Sequence, residues 1–291
     1  MKPNRAGLVG LLYAMPALLF VAALVIYPLG QLFYTSLTST SLLGGGKFIG
    51  LGNYEKAFND STFWSALGFT LKYTLFITPV LMGGGFLLAL LTWQNTRLKQ
   101  FTRGVIFMPW VIGLATSSLL WYWLFDHRVG PINKILVDLN LIEAPLAWFT
   151  DAELGLWAVI ISVTWKVIGF GTILFVAAIQ SIDGEITEAS MIDGASYWQR
   201  VRRIILPLST RSILLTTLIS VVGSMVAFDQ FYIMTQGGPK TDTFTSVYWM
   251  YQNSFIYFKL GYGSALAIIL TVIIFIGAAT QVALTRPRGT E

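Results

Sequence analysis

Residues 154–180 read LGLWAVIISVTWKVIGFGTILFVAAIQ, and residues 181–207, SIDGEITEASMIDGASYWQRVRRIILP, follow directly. The first stretch contains one charged side chain, Lys166. It is long enough to cross about 30 Å of hydrocarbon, which takes roughly 20 helical residues. The second stretch is polar and regularly patterned. The pair predicts a membrane-spanning helix that leads into a folded, exposed loop.

The polar stretch predicts two short helices that meet at an angle. Asp183 stands where an N-cap is needed for a helix through about Ile192, and Gly194 can take the left-handed conformation that ends it. Ser196 and Gln199 have the spacing of a capping box for the second helix. We expect this element to project from the membrane and to be joined rigidly to the spans on either side.

Five further apolar stretches give the fold class, an all-α polytopic membrane protein with a single domain over residues 1–291. Hydrophobic residues make up 55% of the chain and charged residues 11%, whereas soluble domains carry about a quarter charged residues. Lipid offers the backbone no hydrogen bonds, so every span is interpreted as a helix. The six predicted spans are 7–29, 73–93, 104–125, 154–180, 212–235 and 261–284.

Basic residues fall unequally on the two sides of these spans. One side carries 11 of the 19 and the other carries 7, with Lys166 inside a span. By the positive-inside rule, the richer side, which includes loop 181–211 and both termini, is predicted to be cytoplasmic. The net charge of +5 is then explained by the basic residues that set the orientation in the membrane, and no nucleic-acid partner is expected. The 11 residues are Lys2, Arg5, Arg97, Lys99, Arg103, Arg200, Arg202, Arg203, Arg211, Arg286 and Arg288.

The composition excludes several kinds of site. The chain has no cysteine and a single histidine, His127, so disulfides, thiolate sites and multi-histidine metal sites are not expected. Gly44-Gly-Gly-Lys47 is followed by Phe48, where a phosphate-binding loop needs serine or threonine. We therefore predict no catalytic residues, no metal and no cofactor in this chain.

The loop resembles the EAA motif of binding-protein-dependent ABC importer permeases. That motif reads Glu-Ala-Ala, three residues, Gly, nine residues, Ile, one residue, Leu-Pro, and every spacing fits, with Ser190 in place of the second alanine. Segments 48–54, 192–200, 235–241 and 261–267 are similar to the carbohydrate-uptake branch, and the Gly-Gly-Pro of 237–239 is usual in its first permease. The matching loop residues are Glu188, Ala189, Gly194, Ile204, Leu206 and Pro207.

The resemblance implies a type I ABC importer permease architecture (MetI-like) in a bacterial or archaeal cytoplasmic membrane. It also implies a second permease subunit, two ATPase subunits that bind ATP and Mg, and an external solute-binding protein or lipoprotein. Glu188, Ala189 and Gly194 become the residues that couple to an ATPase. Arg200 and Arg203 either contact an acidic ATPase surface or only enforce topology.

Polar side chains within the spans predict the translocation path. An ionisable residue in a membrane is costly unless it faces a wet cavity or a partner. Lys166 and Asp229 are two such residues, and the alternative for them is a structural ion pair. The alternative for the serines is helix packing. The predicted path residues are Lys166, Phe170, Ser220, Ser224 and Asp229.

The sequence leaves other functions open. A permease for a non-carbohydrate solute is one alternative. A proton-coupled secondary transporter is another, although it predicts several acids within the spans and an internal repeat. Monosaccharides, oligosaccharides, polyols and glycerophosphate esters are all possible substrates, and Lys166 would favour an anionic one.

Overall fold

The computed structural model describes residues 5–285, and this part of the chain is helical apart from its loops and an isolated bridge between Thr38 and Phe48. The all-α prediction is confirmed. The predicted orientation rests in part on Lys2, Arg286 and Arg288, which lie outside the described residues.

Four helices of the described chain are each long and apolar enough to cross a membrane, and two bent helix pairs raise the number to six if each pair is one span. The first helix, α1, has three consecutive parts: Arg5–Val21, a π-helical turn at Ala22–Ile26, and Tyr27–Ser36. The others are α3 (Ser61–Thr92), α7 (Ala152–Gln180) and α12 (Leu260–Thr285). The bent pairs are α4 (Arg97–Val111) with α5 (Leu114–Leu124), and α9 (Tyr197–Arg200, continued through Val201–Ile205 to Leu206–Leu208) with α10 (Thr210–Met225).

Four short helices lie in the connecting loops. They are α2 (Gly52–Phe58), α6 (Pro131–Asp138), α8 (Gly184–Ile192) and α11 (Ser246–Tyr251, continued as a π-helical turn, Gln252–Ile256). A further π-helical turn covers Phe231–Thr235.

The third predicted span, 104–125, is interrupted by a sharp bend. The helix begins at Arg97, ends at Val111 and turns by 96° before Leu114. Pro109 lies in the last turn, where its missing N–H removes a helical hydrogen bond. Ile112 and Gly113 then adopt extended conformations. The span is therefore broken in two.

The fifth predicted span, 212–235, is also interrupted. Helix α10 ends at Met225, and helical structure resumes just before Phe231. The hydroxyl of Thr245 donates a hydrogen bond of 2.7 Å to the carbonyl of Ala227 inside the gap. This bond satisfies a backbone group that the interruption would otherwise leave without a partner.

The chain divides into two compact units, Met1–Ser61 with Trp249–Ile273, and Thr62–Tyr248 with Ile274–Glu291. In the first unit, Asn53 holds the loop after α1 by donating to the carbonyls of Ser36 and Thr38, each at 2.8 Å. Asp60 accepts hydrogen bonds from the side chains of Trp249 and Tyr262.

A charge cluster lies beside Asp60. Burial, and then the positive charge of Lys259, lower the pKa of Lys56, and the Asp60 carboxylate offsets part of that effect. The Lys56 ammonium lies 4.1 Å from the ring centroid of Tyr262. These contacts fix α2 to the start of α12.

In the second unit, a buried amide organises the loop after α5. Asn133 donates to the carbonyls of Asp126 and Leu146, and its oxygen accepts from the Leu146 amide and the Trp148 ring. Backbone N–H groups of Val129 and Arg128 lower the pKa of Asp126. The loop is thus a folded structure rather than a flexible connection.

The 181–209 loop folds as its sequence predicts. The Asp183 carboxylate accepts from the amide of Glu185 at the start of α8, and Gly194 ends the helix with φ +74°. The amide of Ala195 donates to the carbonyl of Ser190, which completes a Schellman motif. The capping box is formed as well, since Ser196 and Gln199 bond to one another in both directions.

Changing Asn53→Asp should destabilise the protein by at least about 2 kcal/mol, because a carboxylate would face two carbonyl oxygens with no hydrogen to donate. The midpoint of thermal unfolding in detergent measures the effect. Glu55→Gln, at an exposed position on the same helix, is the matched control. Equal midpoints for the two variants would contradict this role of Asn53.

Changing Gly194→Ala should loosen the end of α8. A Cβ there would meet nothing within 4 Å, so the cost is the left-handed backbone alone, roughly 1–2 kcal/mol. Amide hydrogen exchange over 189–195 should accelerate roughly five- to thirtyfold. Gly194→Asn, which tolerates this conformation better, should exchange more slowly than the alanine variant. Identical exchange in all three proteins would rule out the strain.

Candidate functional site

A cavity of about 320 Å³ opens between α3, α4, α5, α7 and α10 in the second unit. Most of its wall is apolar, and four of the five predicted path residues line it. These are Lys166, Phe170, Ser220 and Ser224. The structure therefore brings together side chains from α7 and α10 that are about 50 residues apart in sequence.

Aromatic rings form one wall of the cavity. The ring of Phe170 on α7 stacks on that of Trp110 on α4, with centroids 4.4 Å apart and planes 13° apart. The two helices approach closely at Gly169, where a Cβ would collide with the backbone of Ile106 and Phe107. Only glycine permits this approach, which brings the two rings into register.

Lys166 is 7% exposed and its ammonium donates a hydrogen bond of 3.2 Å to the carbonyl of Trp110. The same nitrogen lies 5.2 Å from the Trp110 ring centroid. Trp110 lies in the last turn of α4, where carbonyls lack helical partners. The Lys166 ammonium thus binds a backbone carbonyl at the end of α4, where the predicted span breaks.

The alternative ion pair between Lys166 and Asp229 is absent from the structure, where no salt bridge joins these two described residues. Asp229 lies beyond the end of α10, next to the π-helical turn of 231–235, and does not line the cavity. The hydroxyl of Ser220 lies 3.4 Å from that of Thr78 on α3, and the hydroxyl of Ser224 bonds to the carbonyl of Val221.

Three lining residues were missed by the sequence analysis. Trp110 supplies the stacked ring, and Tyr73 on α3 and Gln230 line the same cavity. Gln230 is 4% exposed, and its carbonyl oxygen has no partner in the described part of the chain. The available signal was the polar pair Asp229-Gln230 in an apolar stretch, of which the amide and not the carboxylate lines the cavity.

Four of the five loop residues predicted for coupling are exposed. Glu188 and Ala189 on α8 and Gly194 after it are exposed, as is Arg203, whereas Arg200 is half-buried. Ile192 is 87% exposed and Trp198 is 65% exposed.

The opposite side of the loop is anchored by a hydrophobic cluster. Val201 and Ile205 of α9 pack with residues near the ends of α3 and α7. The Tyr197 hydroxyl also donates to the carbonyl of Leu90, and the side chain of Gln180 donates to that of Trp93. The cluster consists of Ala89, Leu90, Phe175, Val176, Ile179, Val201 and Ile205.

A second cavity, of about 250 Å³, lies under the loop. It is lined by residues of α8 and α9 and by the connection between α3 and α4. Arg200 is the charged residue of this lining. Over residues 5–285, no group of three or more His, Cys, Asp or Glu side chains is arranged to hold a metal ion.

Comparisons with known proteins find relatives along most of the chain. The chain is 32% identical over 265 residues to the sulfoquinovosyl glycerol transport system permease of Agrobacterium fabrum, covering 90% of this chain and 85% of that one. It is 31% identical to a probable ABC transporter permease of Pyrococcus horikoshii, covering 89% of each. It is 30% identical to the lactose transport system permease of Rhizobium radiobacter, covering 96% and 94%.

The fold is shared with a solved structure of a bacterial alginate ABC transporter in complex with its alginate pentasaccharide-bound periplasmic protein. The TM-score is 0.82 at 22% identity, over 95% of this chain and 94% of that one. Residues 81–287 match the family described as binding-protein-dependent transport system inner membrane component. The helices, the patterned loop and these matches together show that the chain belongs to this family and is an ABC importer permease of the inner membrane.

Proposed function

We propose that this permease moves a sugar, an oligosaccharide or a related polyol or glycerol derivative into the cytoplasm. An external binding protein or lipoprotein delivers the solute, and a separate ATPase drives transport through the 181–211 loop. One observation carries the proposal: α3 and α7 line the cavity and also hold the loop.

On each of these helices, the residues that line the cavity are close to the residues that hold the loop. On α7, Phe170 lines the cavity and Phe175 belongs to the cluster that holds the loop, little more than one turn away. On α3, Met82 lines the cavity and Ala89 belongs to the cluster. A force on the loop is therefore applied directly to the cavity walls.

The exposed surface of the loop fits a protein partner. Glu188 lies among exposed apolar side chains, with Ala189 as a small neighbour that permits close approach. Arg203 and the half-buried Arg200 add positive charge suited to an acidic ATPase surface. In this arrangement two ATPase subunits hold ATP and Mg, this chain hydrolyses none, and a second permease completes the path.

Names of the relatives support the substrate class, since they include permeases for lactose and for sulfoquinovosyl glycerol. The cavity supports it chemically. The Phe170 ring offers a flat apolar face, and Ser220 and Ser224 offer hydroxyls for hydrogen bonds, which suits a polyhydroxylated solute. The excess of Lys and Arg around 181–211 supports a cytoplasmic location for the loop and both termini.

Changing Glu188→Ala should reduce ATP-driven uptake at least about tenfold, since hydrogen bonds to a charged group are worth about 1.5–3 kcal/mol. ATP hydrolysis by the reconstituted complex should lose its stimulation by loaded binding protein. Glu185→Ala, at an exposed position one turn earlier on α8, is the control and should retain uptake. Full uptake by Glu188→Ala, or uptake by the permease without any ATPase, would contradict the proposal.

Changing Gly223→Phe should block uptake by filling the cavity. Gly223 lines the cavity, and a Cβ there meets nothing within 4 Å, so the new side chain starts without a clash. Gly83→Phe is the matched control, because that position is equally open but is outside the cavity lining. Uptake into proteoliposomes is the measurement. Equal uptake by the two variants would remove this cavity from the path.

A further inference from the structure

We propose that Lys166 selects a substrate that carries an anionic group, such as a carboxylate, sulfonate or phosphate ester on a sugar or glycerol skeleton. This inference rests on the proposed function and narrows its substrate class. Three features of the structure support it: the position of the Lys166 ammonium, the absence of a nearby carboxylate among the described residues, and the other side chains that line the cavity.

The position of the ammonium is fixed by the protein. The Trp110 carbonyl accepts one hydrogen bond from it, and the Trp110 ring lies beside it. An ammonium has three donors. No other acceptor from residues 5–285 is within hydrogen-bond distance of this nitrogen, and the side chain lines the cavity. Two donors are left for a molecule that enters.

The charge of Lys166 is only partly balanced. The carbonyl end of α4 is equivalent to roughly half a negative charge, and the Trp110 ring presents its negative face. No carboxylate of the described chain lies within 4 Å of the ammonium. A buried cation without a full counter-charge is unfavourable. An anionic group on the substrate would complete the pair.

The rest of the cavity suits such a molecule. Lys166 is the charged residue of the lining, and Asp229 lies outside it. An anionic group therefore meets one cation and no acid. A volume of about 320 Å³ is at the lower end of the usual range for small-molecule sites. The Phe170 face and the serine hydroxyls can then hold the sugar or glycerol part.

A purely structural role for Lys166 makes a different prediction. If the ammonium only satisfied the Trp110 carbonyl, the charge of the substrate would not matter. If the charge pairs with the substrate, arginine should replace lysine better than glutamine does. Variants at this position therefore separate the two roles.

The substrate class is tested on the binding protein that serves this permease. Thermal-shift measurements compare D-glucose with D-glucuronate, D-galactose with D-galacturonate, and glycerol with sn-glycerol 3-phosphate. The acidic member of a pair should stabilise the binding protein and be taken up by the reconstituted complex. Stabilisation and ATP-driven uptake of the neutral members instead would overturn the inference and leave the proposed function intact.

The role of the residue is tested with Lys166→Arg and Lys166→Gln in proteoliposomes that contain both permeases, the ATPases and loaded binding protein. Lys166→Gln should lose at least about tenfold in uptake of the acidic solute, and Lys166→Arg should retain most of it. Copurification of the ATPase with each variant reports assembly. Lys47→Gln, which removes an exposed lysine of the 37–51 loop, is the control.

Each outcome is decisive for one of the two proposals. Undiminished uptake by Lys166→Gln would overturn the role of the charge. So would equal losses in both variants together with loss of the ATPase, because these would indicate a structural role alone. Absence of ATP-driven uptake by the complete wild-type complex would instead contradict the proposed function itself.

Discussion

Every backbone N–H and C=O group within a bilayer has to find its partner inside the protein, because lipid supplies none. In the second unit, side chains donate to three carbonyls near helix ends, one after the end of α3 and two at breaks within predicted spans. Gln180 donates to the carbonyl of Trp93, Lys166 to that of Trp110 and Thr245 to that of Ala227. The interruptions are therefore stable features of the fold.

Two of these three donors belong to α7, which makes that helix the organising element of the second unit. Its Gly169 contacts the backbone of α4 directly, its Phe170 stacks on Trp110, and its last turns carry the cluster that holds the loop. The same helix thus donates a hydrogen bond to the end of α4, lines the cavity and anchors the loop that follows it. A displacement of α7 would therefore alter its contact with α4, the cavity and the position of the loop together.

Local sequence signals predicted the loop well and the spans less well. Asp183, Gly194 and the Ser196–Gln199 box act through hydrogen bonds to residues within five positions, so their spacing is sufficient information. The break after Val111 depends on Pro109 together with Lys166, which is more than 50 residues away. Hydropathy does not register such a contact, and a continuous apolar stretch therefore looked like a continuous helix.

For the predicted site, too, the sequence identified residues but not their distant partners. Periodicity and charge identified Lys166, Phe170, Ser220 and Ser224, which the fold brings to one cavity. Their partners were not predictable, because they depend on helix crossings. Lys166 contacts a carbonyl on α4 rather than the acid that its charge suggested. Gln230 was overlooked because an amide is less conspicuous in an apolar stretch than the neighbouring carboxylate.

The bend between α9 and α10 bears on how a loop movement would act on the cavity. Ser209 lies at this 68° bend and is 1% exposed. Before the bend, Val201 and Ile205 fix the loop to α3 and α7, and after it α10 contributes Ser220 and Ser224 to the facing wall. A loop displaced by a partner would carry α3 and α7 with it, while the bend gives α10 a separate direction. The cavity, which α7 lines with Lys166 and Phe170 and α10 with Ser220 and Ser224, would then change shape.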